Sequence, residues 1–87
     1  MPNIIDFIDV EIYTEKLNDM YARIAEFISA YPKNQMVEQL KSQQHILAVA
    51  HHQSRFHCDE QHLSKWDALL RQSEKMIMEA RIANVLK

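Results

Sequence analysis

Val10, Leu17, Ile24 and Tyr31 stand seven residues apart, and Tyr13, Met20 and Phe27 form a second row beside them. Rows of this spacing share one side of a helix, whereas in a strand they would alternate between faces. Phe7, Tyr21 and Ile28 widen the stripe, and Asn3 stands as an N-cap before an acidic first turn. The pattern predicts a helix over residues 3–31. Pro32 closes it, because the residue before a proline is pushed out of the α region.

A second helix is expected over 34–56, with Asn34 as its N-cap or Pro32 at its first position. Met36, Val37, Leu40, Leu47 and Ala50 make its apolar face, which Gln43, Gln44 and His51 interrupt. A third helix over 60–86, capped by Asp59, carries Leu63, Trp66, Leu70, Ile77 and Ala80, broadened by Leu69 and Met76. The chain has no glycine, which tight hairpins need for positive φ, so strands have no economical way to turn. The fold class is therefore all-α: a single domain over 1–87 built as a small antiparallel three-helix bundle. The alternative is a long helical hairpin that dimerises into a four-helix bundle, since no strong breaker separates 52 from 62.

Composition fits this picture. With 47% apolar and 25% charged residues the chain is globular rather than disordered. A domain of 87 residues buries only roughly 60–65% of its unfolded surface. Self-association or a partner commonly supplies what so small a core lacks. The net charge of −2 gives no overall field for nucleic acid or anionic lipid. Residues 1–31 carry six carboxylates against Lys16 and Arg23, whereas residues 32–87 carry eight basic against six acidic side chains. One cysteine makes no internal disulfide, MPNIIDFID lacks the basic start of a secretory signal, and no apolar run nears the roughly 20 residues of a membrane span. The expected compartment is the cytoplasm.

The candidate chemistry gathers in HHQSRFHCDEQH, residues 51–62. Cys58 and His62 are four apart, a spacing at which a thiolate and an imidazole on one helix can reach the same zinc ion, with His57 or His51 as further ligands. Only half of a paired ligand pattern is visible, however. The prevailing reading is a polar, titratable junction, with histidines in the last turns of helix two favourable there when protonated. No cofactor is expected beyond that zinc alternative. Catalysis by Cys58 and His62 lacks any glycine-lined oxyanion hole, so the chain is read as a non-enzyme. Lys65, Arg71, Lys75 and Arg81 give helix three a basic side, but Glu74 and Glu79 interleave with it. A small nucleic-acid-binding regulator is the weakest of the three readings.

The more informative residues are apolar ones left over once the core is assigned. Ile5, Ile8 and Ile12 form a separate row on helix one, with Ile4 nearby. Ile82 and Val85, with Met78 and Leu86, fall off the main stripe of helix three. A helix apolar on two faces must be covered on two faces. These residues are expected to form a homodimer seam or a partner's docking site. The function this implies is a protein–protein interaction module: an adaptor, an accessory subunit or a stoichiometric inhibitor of a larger protein, with a phage or mobile-element inhibitor as one version. The competing function is a metal-stabilised or pH-responsive helical module built on the 51–62 cluster.

Overall fold

The computed structural model describes residues 7–54 and 60–86, with backbone alone for residues 7–10 and 60. Among these, three α-helices make the fold: α1 (Phe7–Ala30), α2 (Val37–Gln53) and α3 (Glu60–Val85). Their directions follow from which residues meet. Thr14 reaches Ser54, so α1 and α2 are antiparallel. Gln43 meets Ser73 while Asn34 meets Ala80, so α3 runs against α2. Tyr13 lies 6.4 Å from Trp66 between ring centres and Arg23 pairs with Glu74, so α1 and α3 are parallel. The result is a three-helix bundle, and α2 and α3 are separate helices rather than one bent rod.

The core is filled by Leu17, Met20, Ile24 and Phe27 from α1, Leu40, Leu47 and Ala50 from α2, and Trp66, Ile77 and Ala80 from α3. Tyr31, last of the seven-residue row, is exposed instead. The helix ends at Ala30, and the ring turns back onto Phe27 with centres 5.0 Å apart. Tyr21 also lies mostly outside the packed stripe.

Helix α2 begins at Val37, later than the capping pattern predicts. Asn34 does not sit in the N-cap position, which Met36 occupies without a side-chain cap. The Asn34 Oδ1 accepts the Met36 N–H at 2.8 Å. Its Nδ2 points inward, donating to the Ala80 carbonyl at 2.9 Å and to Asn84 Oδ1 at 2.7 Å. A residue suited to capping one helix instead ties the α1–α2 turn to the last turns of α3.

Two serines make further polar links between helices. Ser73 donates its hydroxyl proton to the Leu69 carbonyl of its own helix, and its oxygen accepts from Gln43 Nε2 at 2.9 Å. Ser54 likewise donates to the His51 carbonyl at 2.7 Å. Its single proton is thereby used, so Thr14 is the donor in the 2.7 Å contact between the two hydroxyls. Each serine thus satisfies a carbonyl on its own helix while receiving a neighbour. Ser54 also completes the end of α2, where its backbone remains right-handed at φ −59°. Among the described residues no φ is positive and no buried side-chain nitrogen or oxygen lacks a partner.

These links make distinct stability predictions. Asn34→Ala removes three hydrogen bonds at a site only 6% exposed, and should destabilise by about 2–4 kcal/mol in urea unfolding, since each buried bond contributes about 1 kcal/mol. Ser73→Ala strands the Gln43 amide and should cost about 1–3 kcal/mol. Adding Gln43→Leu should recover most of that loss, because both polar partners are then gone. A double variant less stable than Ser73→Ala would show that the pair is not coupled in this way.

Candidate functional site

The candidate residues divide into a polar end and two apolar surfaces. At the polar end, His51 lies half-buried in the last turn of α2, its carbonyl held by Ser54. His62 lies in the first turns of α3, its ring centre 5.9 Å from that of Trp66. His57 and Cys58 fall outside the described residues. Among the described residues no group of three or more His, Cys, Asp or Glu side chains converges as a metal site requires. His51 and His62 thus come to the same end of the bundle as Tyr13 and Thr14, with the His62 ring beside Trp66 and the His51 carbonyl held by Ser54.

The apolar candidates separate along the bundle. Ile4 and Ile5 fall outside the described residues, and Ile8 is described through its backbone alone. Ile12 is 41% exposed near the start of α1. Ile82 and Val85 are 52% and 82% exposed at the opposite end, where Met78 and Leu86 are exposed as well. Because α1 and α3 are parallel, the two rows cannot form one continuous patch within a single chain. They meet only if a second molecule bridges them.

Met78, Ile82 and Val85 recur at helical spacing on the outer side of α3, while Ile77 and Ala80 fill its inner side. A hollow of about 450 Å³ lies alongside, between α1 and α3, lined by Phe27, Tyr31, Ile77 and Val85 together with Arg23, Glu26 and Arg81. Arg23 is held there by Glu74.

One apolar surface has no counterpart in the sequence-derived candidates. Ile46 and Val49 of α2 are 48% and 44% exposed and line a hollow of about 640 Å³ between α2 and α3. The signal for it was present: both residues fall off the Val37–Leu40–Leu47 stripe, as Ile82 falls off that of α3. Among the described residues no helix is long and apolar enough to cross a membrane, so these surfaces are not parts of a span.

The polar end yields its own prediction. With no convergent group of metal-binding side chains among the described residues, zinc or a chelator should leave the melting temperature unchanged in a thermal scan. A rise with zinc that is abolished by Cys58→Ser would instead assign the junction as a metal site. Comparison with protein-family models, with curated proteins and with solved structures returns no match, and the function is therefore argued from this chain's own surfaces.

Proposed function

We propose that this chain is a non-enzymatic protein–protein interaction module, serving as an adaptor, accessory subunit or stoichiometric inhibitor of a larger protein. The observation that carries the reading is the apolar row Met78, Ile82 and Val85, each more than half exposed on a helix whose other side already fills the core. Such a row gains nothing for the isolated fold. Covering it removes apolar surface from water, which stabilises by about 25 cal/mol per Å² before the costs of association.

The small core gives the same reading an energetic reason. A domain this size has a narrow margin, and binding that involves only the folded state adds to it by mass action. The partner is either a second copy, bridging the α3 row to the Ile12 end of α1, or a larger protein that takes one row alone.

Ile82→Asp tests this directly: the side chain is half exposed, so the substitution should cost only about 1–2 kcal/mol of folding stability, from the buried half of the side chain and an acid near a helix C-terminus. The expected outcome is an unchanged circular dichroism spectrum with a modestly lowered thermal midpoint. Self-association in sedimentation, or retention of a stoichiometric partner in affinity capture, should fall at least tenfold. A wild-type chain that is monomeric at high micromolar concentration and captures nothing beyond what Ile82→Asp captures would overturn the proposal.

A further inference from the structure

Among the described residues, α2 and α3 pack against each other less extensively than α1 packs against either. Small side chains keep the seam between them open: Ala50 and Ala68 stand where larger ones would fill it. Ile46 and Val49 line one wall, Leu69 the other, and Trp66 the base. The lined stretch of α2, from His45 to Gln53, is about 12 Å long at 1.5 Å per residue, and that of α3, from His62 to Gln72, about 15 Å. This matches two to three turns of an added helix with apolar anchors at i, i+4 and i+7.

Charge selects what that helix must be. Among the described residues, the ionisable side chains that line the hollow are Lys65 and the imidazoles of His45 and His62, and none is a carboxylate. The exposed carboxylates of α1, Glu11, Glu15 and Asp19, stand on a helix packed against the other side of this pair. We infer that the α2–α3 seam docks an acidic amphipathic helix of a partner protein, its apolar stripe on Ile46, Val49 and Leu69 and its carboxylates toward Lys65 and His45.

A second copy fits the seam poorly. Two seams placed face to face would set Lys65 against Lys65 with no carboxylate among the described lining residues to answer either, which does not favour pairing. Inserting a neighbour's acidic α1 would join opposite sides of successive molecules, a head-to-tail contact that need not close. A different chain satisfies both constraints.

The inference rests on the reading of the chain as an interaction module, but it concerns a different surface from the Ile82 row, so the two can fail separately. Trp66 is the only tryptophan and lies at the base of the hollow, which makes its fluorescence a local reporter. The probe is a synthetic helical peptide about three turns long with leucines at i, i+4 and i+7 and glutamates elsewhere; its control replaces each glutamate with lysine. A saturable change in Trp66 emission is expected with the acidic peptide, with affinity at least tenfold above that for the lysine control and falling as salt is raised. Ile46→Asp and Lys65→Glu should each weaken binding at least tenfold, while Ile82→Asp leaves it unchanged. Val49→Asp provides a second wall variant, and circular dichroism verifies that each remains folded. Equal affinity for the two peptides, or no loss with either wall variant, would overturn the inference. So would dissociation of a homodimer by Ile46→Asp, because a second copy would then be the occupant. If the acidic peptide fails while Ile82→Asp still loses its partner, the seam assignment falls and the interaction module stands; if both fail, neither reading survives.

Discussion

The buried carboxamide of Asn34 holds the bundle at the one place where its topology is exposed to error. A chain of three helices joined by short turns can place its third helix on either side of the first pair. Asn34 sits in the first turn, yet both of its amide protons go to α3, at Ala80 and Asn84. Its oxygen simultaneously organises the entry to α2 through the Met36 N–H. A shift of α3 would disturb the close-packed core and also leave the buried carboxamide without partners. The position of α3 along its neighbours is therefore held by directional bonds and by the core residues together.

The absence of glycine explains why serine takes so large a part in the rest. Helices often end on a left-handed residue, usually glycine, whose geometry lets following amides reach the last carbonyls. Here α2 ends at Ser54 in right-handed geometry, and the hydroxyl reaches the His51 carbonyl. The same oxygen receives Thr14, so one side chain both finishes α2 and fixes α1 beside it. Gln43 and Ser73 repeat the arrangement midway between α2 and α3. Polar residues that interrupt the apolar stripe of α2 are thus part of how the helices are aligned.

The helices and their class were legible because seven-residue spacing and the lack of glycine both concern the chain locally. Leu17, Ile24, Leu40, Leu47, Trp66 and Ile77 are recognisable as core from periodicity alone. Asn34 was not, since an asparagine before a helix reads equally well as a cap, and only the position of Ala80 reveals its other role. Gln43 likewise reads as a flaw in a stripe until Ser73 is placed opposite it. The exposed α3 row follows from helical geometry, because Ile82 lies away from Ile77 and Ala80 on the same helix. The seam does not, because it depends on how far two helices stand apart, and no spacing along one of them encodes that distance.

The shape of that seam reflects which side chains each helix supplies. Helix α1 contributes Leu17, Met20, Ile24 and Phe27 and so fills the space toward both partners. Helix α2 offers Ala50 toward α3, and α3 offers Ala68, beside the Gln43–Ser73 hydrogen bond that joins the pair. The pair is joined by a hydrogen bond at its midpoint, and its small residues lie nearer the end that carries Ile46 and Val49. Those two side chains are exposed without loosening the core, since Leu47 remains fully buried one residue away. The same set of side chains therefore closes the bundle around α1 and leaves a shaped apolar surface opposite it.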